Sequence, residues 1–196
     1  MKMKTKLYLL LGLFAACLLI SCNDDEDPID EAYKLANEAQ FAKITADPAY
    51  TKITSQSANG HIMYKELVDG NTGERPYFSD TVSVRYTGWY KNDWNREDTY
   101  IDGDGNLVRN KVIFDSTADN NGVGNNIPRT FNVGNELIDG FSTALQHMEV
   151  GDKWEIWIPW NMGYGASQSG TIRPYTTLAF EIELVDIVRQ QGYSGT

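Results

Sequence analysis

The chain has 196 residues and a formal net charge of −10 at pH 7. This length allows one ordinary domain with appendages, and the acidic balance argues against nucleic acid or an anionic lipid surface as partner. Cysteine occurs only at positions 17 and 22, which excludes disulfide bonds and thiol catalysis in the body of the chain.

The first 21 residues are predicted to be a lipoprotein signal peptide. Three lysines precede an apolar run, residues 7–20, that is too short to span a bilayer comfortably. The run ends in L-I-S-C, which resembles a bacterial lipobox, so Cys22 is expected to receive lipid. A plain secretory signal with an incidental cysteine is the alternative. Removal of residues 1–21 takes away three lysines and no acid, which shifts the formal charge to −13.

Residues 22–60 are predicted to form an acidic tether and a helical extension. The run N-D-D-E-D after Cys22 is typical of a solvated tether and also resembles the surface-export signal of Bacteroidetes-like lipoproteins. Alanine-rich spacing predicts a helix over residues 31–43, which Pro48 should end. Two roles are compatible with this helix: packing on the main body, or mediating self-association. Together these segments predict lipid anchoring to the outer membrane of the cell envelope, on its periplasmic or surface-exposed face.

Residues 61–190 are predicted to form one domain of short strands and turns. Residues 62–68 are predicted to form a strand, and apolar residues alternate with polar ones over residues 82–87, as in a half-buried strand. The polar stretch over about residues 91–111 carries the turn sequence D-G-D-G-N and is predicted to be an inserted hairpin. Further strands are expected to begin near residues 112 and 131.

A short amphipathic helix follows. Four apolar residues between positions 141 and 148 have the spacing i, i+3, i+4 and i+7, and Gly151 should end the helix. Alternation over residues 154–158 and 178–184 predicts two more strands. The predicted fold class is α+β, a mostly antiparallel twisted sheet wrapped around one short helix.

Two weaker signals have simpler interpretations. Asp102, Asp104 and Asn106 have the spacing of the first ligands in a calcium loop, but Leu107 and Ile113 stand where glycine and glutamate are needed. A tight hairpin turn explains this stretch without metal.

Three aromatic residues at the start of the insertion and both histidines lie outside the calcium-like turn. Trp89 and Tyr90 precede the insertion and Trp94 lies within it. They are expected to pack the insertion onto the sheet, with a peptide-contacting surface as the alternative. His61 and His147 lie far apart in the sequence, and no metal or acid–base site is predicted from them.

Six motif blocks occur in a fixed order over about residues 61–188. They are V-R-Y-T-G at 84–88, F-D-S-T at 114–117, F-N-V-G at 131–134 with L-I-D-G-F at 137–141, M-E-V-G-D at 148–152, Y-G at 164–165, and T-L-A-F-E-I-E-L at 177–184. In content and order they resemble the FKBP-type peptidyl-prolyl cis-trans isomerases. The resemblance implies that family's fold, which agrees with the α+β class predicted from the periodicity.

The resemblance also implies an aromatic pocket. Its predicted residues are Tyr86, Phe114, Asp115, Leu137, Ile138, Phe141, Tyr164, Ile172 and Phe180. By analogy with the family, Phe141 lies at the floor, and the backbone N–H of Ile138 and the hydroxyl of Tyr164 bind ligand carbonyls. On pattern alone, Tyr86 and Phe180 would be assigned to the core.

The implied activity is acceleration of X–Pro bond rotation in extracytoplasmic protein clients, with no covalent step, cofactor or metal. Weak binding of rapamycin-like macrolides is implied as well. Three positions depart from the family pattern: Phe141 replaces a tryptophan, Arg129 replaces an aromatic residue at the substrate-binding wall, and Gln168 lies in a loop that lacks the usual histidine. These departures support one alternative, a non-catalytic proline-peptide binding module or holdase chaperone. A second is a structural lipoprotein that docks through residues 91–111.

Overall fold

The structure, a computed structural model, describes residues 28–118 and 126–188. The predicted signal peptide, Cys22 and the acidic run lie outside the described residues. No helix in the described parts of the chain is both long enough and apolar enough to cross a membrane.

The described elements alternate short strands with two α-helices. In chain order they are α1 (Pro28–Ala46), β1 (Thr51–Thr54), β2 (His61–Val68), β3 (Thr81–Lys91), β4 (Thr99–Ile101), β5 (Leu107–Arg109), β6 (Lys111–Ser116), β7 (Arg129–Asn132), α2 (Asp139–Leu145), β8 (Lys153–Ile158), a 3-10 turn (Trp160–Met162) and β9 (Leu178–Val188).

Seven of these strands form one antiparallel sheet. Its order is β1-β2-β8-β9-β3-β6, and β7 pairs with the first half of β3. Strands β4 and β5 form a separate hairpin within the predicted insertion. The predicted α+β class, a mostly antiparallel sheet around a short helix, is confirmed.

Helix α2 packs against one face of the sheet, which we call the helix face. Six of its seven residues are buried, from Gly140 to Leu145. A Cβ at Gly140 would lie 2.4 Å from the Ile158 side chain, so only glycine allows the helix to lie this close to β8. The helix is shorter than the motif spacing suggests, but Met148, one turn beyond its end, is still fully buried. The core therefore lies between α2 and the helix face.

The opposite face of the sheet carries a second apolar cluster. Met63, Trp157, Ala179 and Trp89 are paired in register across β2, β8, β9 and β3. Phe41 of α1 packs on this row, so the extension helix folds onto its own domain. An otherwise exposed row of large apolar side chains is thereby removed from water.

The sheet begins earlier than the predicted domain boundary at residue 61. Strand β1 lies in the segment predicted to be tether and extension, and it pairs with β2 from Thr51 against Tyr64 to Thr54 against His61. Only one of its four side chains, Ile53, is buried. A four-residue strand with a single buried residue has too little alternation to be recognised in the sequence.

The insertion is a hairpin whose base packs on the opposite face. At its tip, the Asp102 carboxylate accepts hydrogen bonds from the backbone N–H groups of Asp104 and Asn106, at 3.0 and 2.8 Å. At its base, the ring of Trp94 lies 6.1 Å from Trp89 and 5.4 Å from Trp157. These contacts agree with the packing interpretation of the tryptophans.

We expect the docking of α1 to contribute measurably to stability. Phe41 is 9% exposed, whereas Leu35 on the same helix is 56% exposed. Phe41→Ala should lower the free energy of unfolding by roughly 3 kcal/mol, because a buried ring is lost and a cavity remains. Urea unfolding of both variants provides the measurement. Equal losses for Phe41→Ala and Leu35→Ala would contradict the docking.

Candidate active site

An apolar cavity of about 350 Å³ opens between α2 and the strands around β3. It is lined by Tyr86, Phe114, Asp115, Phe131, Asn135, Glu136, Leu137, Ile138, Phe141, Tyr164 and Phe180. Eight of the predicted site residues are in this set. Arg129 and Ile172 are not, and three lining residues, Phe131, Asn135 and Glu136, were not predicted.

Strand pairing brings the aromatic walls together. Gly88 of β3 is paired with Phe180 of β9 on one side and with Asp115 of β6 on the other. A Cβ at Gly88 would lie 2.5 Å from the Phe180 ring and 2.7 Å from the Phe114 ring. The glycine of the first motif is thus required because two aromatic rings meet over its Cα atom.

Phe180 is the centre of the ring cluster. Its ring centroid lies 5.4 Å from that of Phe114 and 5.2 Å from that of Phe141, both in edge-to-face geometry. Tyr86 contacts Phe141 in the same way at 5.7 Å. Such contacts are favoured by the ring quadrupoles. Tyr86, Phe141 and Phe180 are buried, whereas Tyr164 at the mouth is 38% exposed.

The polar side chains at the edge of the cavity form hydrogen bonds with one another. The Tyr86 hydroxyl donates to the Asp115 carboxylate at 2.5 Å, and Arg129 donates to the Tyr86 oxygen and to Asp115, each at 3.0 Å. Burial raises the pKa of Tyr86 well above its ordinary value, and the hydrogen bond to Asp115 adds to this effect. Tyr86 is therefore a neutral donor whose proton is directed to Asp115.

Arg129 lies beside the cavity rather than in its wall. Its side chain is 52% exposed and that of Asp115 is 41% exposed, so the ion pair is screened by water and contributes little to stability. The resemblance to the family had placed Arg129 at the substrate-binding wall. The charge is in fact paired, and Phe131 of β7, with its ring 6.0 Å from Tyr86, lines the cavity instead.

The segment before α2 provides a backbone donor at the cavity. Ile138 has extended geometry, with φ −63° and ψ 150°, and immediately precedes the helix. No acceptor for its N–H is found among the described residues. Leu137 and Ile138 line the cavity together with Asn135 and Glu136, which directly precede them in the chain.

Ile172 is placed elsewhere. It is buried in the main core cluster and does not line the cavity. Its backbone pairs with Ser169 in a short bridge, and the neighbouring Thr171 carbonyl accepts a hydrogen bond from the Tyr90 hydroxyl at 2.9 Å. Ile172 therefore supports, from the core side, the loop that carries Tyr164.

A second cavity, of about 400 Å³, has mostly polar walls and includes Arg75, His147 and Trp154. Three of its four carboxylates accept hydrogen bonds, Asp152 from the backbone N–H groups of Gly70 and Glu149, Glu149 from that of Gly73, and Asp69 from that of Asn71. The described residues contain no cluster of three or more metal-ligating side chains. The aromatic cavity is therefore the candidate site.

Comparison with known proteins places the chain in a family. A family model described as FKBP-type peptidyl-prolyl cis-trans isomerase matches residues 73–185. The chain belongs to this family of isomerases. The match includes the strands, α2 and the Tyr164 loop that form the cavity.

Individual relatives agree with this assignment. The chain is 38% identical over 127 residues to the outer membrane protein MIP of Legionella longbeachae, a match covering 64% of this chain and 44% of that protein. It is 35% identical over 123 residues to an FKBP-type 22 kDa peptidyl-prolyl cis-trans isomerase of Escherichia coli, covering 62% of this chain and 48% of that protein. The chain thus spans about half the length of these relatives.

A solved structure supports the fold. A peptidyl-prolyl cis-trans isomerase from Pseudomonas syringae pv. tomato is similar with a TM-score of 0.57 and 30% sequence identity. The similarity covers 81% of this chain and 96% of that one.

In this FKBP-type domain, Asp139 fixes the start of α2 next to Ile138. Burial disfavours ionisation of the carboxyl, but hydrogen bonds from Ser57, Ser55, Asn59 and Thr143 outweigh burial and lower its pKa below the ordinary value. The bonds from Ser55 and Asn59 measure 2.8 and 3.0 Å. Asp139 thereby ties the β1–β2 turn to the helix that carries the cavity floor.

This network should give the fold a pH dependence. Because the folded-state pKa of Asp139 lies below the unfolded value of about 3.8, the carboxylate stabilises the fold above that pH, and the contribution is lost as the pH falls through the folded-state pKa. Asp139→Asn should lower the free energy of unfolding by about 1–3 kcal/mol at pH 7, with a smaller loss near pH 3.

Urea unfolding at the two pH values measures this difference. Asp104→Asn, at an exposed carboxylate in the hairpin turn, is the matched control and should change stability little. A loss for Asp139→Asn that is the same at both pH values would contradict the role of the ionised carboxylate.

Proposed function

We propose that the chain is a peptidyl-prolyl cis-trans isomerase that binds a proline-containing segment in the aromatic cavity and speeds rotation about the X–Pro bond. The observation that carries this proposal is the convergence of the buried rings of Tyr86, Phe141 and Phe180 on one open cavity of about 350 Å³. Membership of the isomerase family supports it.

The physical basis is the polarity of the amide. A planar amide is stabilised by conjugation, and rotation about its C–N bond has a barrier of ~18–20 kcal/mol. For X–Pro, the cis and trans forms have nearly equal energies, so only the barrier makes exchange slow. The twisted amide has lost conjugation and is less dipolar. A cavity that excludes water stabilises this form relative to the planar one.

Each lining residue has a proposed role. Phe141 forms the floor beneath the proline ring, and Tyr86, Phe114 and Phe180 form walls. Leu137 completes the apolar surface.

Polar groups would then orient the bound peptide. The Ile138 N–H and the Tyr164 hydroxyl donate to peptide carbonyls. Asp115 holds the Tyr86 hydroxyl, Arg129 holds Asp115, and Ile172 supports the loop from the core. No covalent step, metal or cofactor is involved.

The clients and location are part of the proposal. We expect the clients to be extracytoplasmic polypeptides that contain proline, and rapamycin-like macrolides to bind weakly because Phe141, Arg129 and Gln168 depart from the family pattern. The signal sequence and Cys22 support lipid anchoring in the cell envelope at the outer membrane, on its periplasmic or surface face. The name of the Legionella relative as an outer membrane protein is consistent with this location.

Anchoring can be tested separately from catalysis. Cys22→Ser should move the protein from the membrane fraction to the soluble envelope or medium fraction, because the acyl chains that hold it are lost. Metabolic labelling with a fatty acid should mark the wild-type chain and not the variant. Labelling of both, or of neither, would contradict lipidation at Cys22.

Catalysis can be tested by NMR exchange between the cis and trans signals of a proline peptide. Substoichiometric wild-type protein should accelerate exchange. Tyr164→Phe should reduce kcat/KM about five-fold, since one hydrogen bond of ~1 kcal/mol to the peptide is lost. Tyr77→Phe, at a tyrosine that is 71% exposed outside the cavity lining, is the matched control and should not change kcat/KM.

Two outcomes would go against the proposal. If wild-type protein binds the peptide but leaves the exchange rate unchanged, the chain is a proline-peptide binding module or holdase instead. If deletion of residues 91–111 abolishes function in cells while Tyr164→Phe has no effect there, a structural role of the insertion is favoured.

A further inference from the structure

The loop that carries Tyr164 has little secondary structure of its own. Residues 160–177, called here the Tyr164 segment, connect β8 to β9. Within them the structure shows one 3-10 turn at Trp160–Met162 and a single bridge between Ser169 and Ile172. The position of Tyr164 must therefore depend on contacts that the segment makes with the rest of the chain.

Asn37 of α1 makes the most buried of these contacts. Its side chain is fully buried, and its Oδ1 accepts hydrogen bonds from the backbone N–H of Thr177 and from the indole N–H of Trp94, both at 2.9 Å. The Thr177 hydroxyl donates to the Asn37 carbonyl at 3.0 Å. One side chain thus joins α1, the base of the insertion and the end of the Tyr164 segment. Removing it would leave buried donors unpaired.

Tyr33, one turn earlier on α1, extends this contact. Its hydroxyl lies 3.0 Å from the Thr176 hydroxyl, which in turn donates to the Arg173 carbonyl at 2.7 Å. The Arg173 guanidinium lies 4.0 Å from the centre of the Tyr33 ring, close enough for a cation–π interaction.

The more exposed side of α1 contacts both ends of the segment. The Lys34 ammonium lies 4.7 Å from the centre of the Tyr175 ring and 5.9 Å from that of Trp160. Glu38 accepts a hydrogen bond from the Trp160 indole N–H at 3.1 Å. The rings of Trp160 and Tyr175 in turn meet edge to face at 5.1 Å.

Trp160 and Tyr175 also hold Gly165, the residue that follows Tyr164. The Gly165 N–H donates to the Trp160 carbonyl, and the Gly165 carbonyl accepts from the Tyr175 N–H, each at 2.9 Å. Tyr175 has φ of 61°, a left-handed geometry that a tyrosine adopts only when its surroundings hold it there. The residues that α1 contacts are therefore the ones that close the loop around Tyr164.

We propose that α1 positions the Tyr164 segment for peptide binding, with Asn37 as the central positioning residue. This inference rests on the proposed function, since it assigns to α1 the task of holding the Tyr164 hydroxyl at the mouth of the cavity. A segment already held in its binding geometry loses less conformational entropy when the peptide binds. The extension thus serves the site without touching the peptide.

The main test is Asn37→Leu, which keeps the volume and removes the side-chain hydrogen bonds. Amide hydrogen exchange should become faster in residues 163–177 while β8 and β9 remain protected. The peptide affinity measured by NMR titration should fall, and kcat/KM should fall about two- to five-fold, no further than in Tyr164→Phe, because the Tyr164 hydroxyl is no longer held in place. In a Tyr164→Phe background the same substitution should have almost no further effect on affinity.

Tyr50→Phe is the matched control. Tyr50 follows α1 and donates to Glu155 at 2.6 Å on the same face of the sheet, and none of the hydrogen bonds found among the described residues joins its side chain to the Tyr164 segment. It should lower stability but leave exchange in residues 163–177 and peptide affinity unchanged. If Asn37→Leu does not fold, the double variant Lys34→Met, Glu38→Leu, which removes the charged contacts of the two side chains with Trp160 and Tyr175, is judged by the same measurements.

The inference is overturned by either of two results. One is a folded Asn37→Leu, or the double variant in its place, with wild-type exchange in residues 163–177. The other is a loss of affinity that is equally large when Tyr164 is already phenylalanine. If the wild-type protein proves not to catalyse exchange, the proposed activity fails, while hydrogen exchange and peptide affinity still decide whether α1 holds the segment.

Discussion

The site depends on the packing of Phe180 between the strands and α2. Its ring contacts Phe114 and Phe141 edge to face, and it belongs both to the main core cluster and to the cavity lining. Because the same ring serves core and cavity, the cavity cannot close without loss of core packing. Helix α2 has only seven residues and leaves part of the helix face open, so the aromatic rings form the walls of the space that remains.

Among the buried aromatic walls of the cavity, a polar group without a partner would retain water. Tyr86 is the one buried wall residue with a hydroxyl, and that hydroxyl is paired with Asp115 and Arg129 at the rim. A buried polar group with a fixed partner does not need water to satisfy it. The ion pair with Arg129 adds little to stability, but Arg129 also hydrogen-bonds to Asp115, whose carboxylate accepts the hydrogen bond from the Tyr86 hydroxyl.

The sequence predicted those helices and strands in which apolar residues recur at a regular spacing. Strand β3 alternates buried and partly exposed residues over its whole length, and the apolar spacing of α2 could be recognised within two turns. The sequence did not indicate strand β1, because only one of its four side chains is buried. For a different reason it could not predict the partner of Arg129 or the burial of Ile172 away from the cavity, since both depend on contacts made only in the fold. Asp139 and Ser55, for example, are 84 residues apart, and nothing local in either segment indicates their contact.

The same limit explains why the role of α1 was left open. Its apolar positions were visible, but its polar residue Asn37 is the one that meets both Trp94 of the insertion and Thr177 beside β9. Trp94 also packs with Trp89 and Trp157, so the two additions to the family domain share one cluster on the opposite face. A helix packed only by apolar contacts could slide along that face at small cost. A buried amide with directional bonds to two other segments fixes one register, and with it the relation between the extension and the mouth of the cavity.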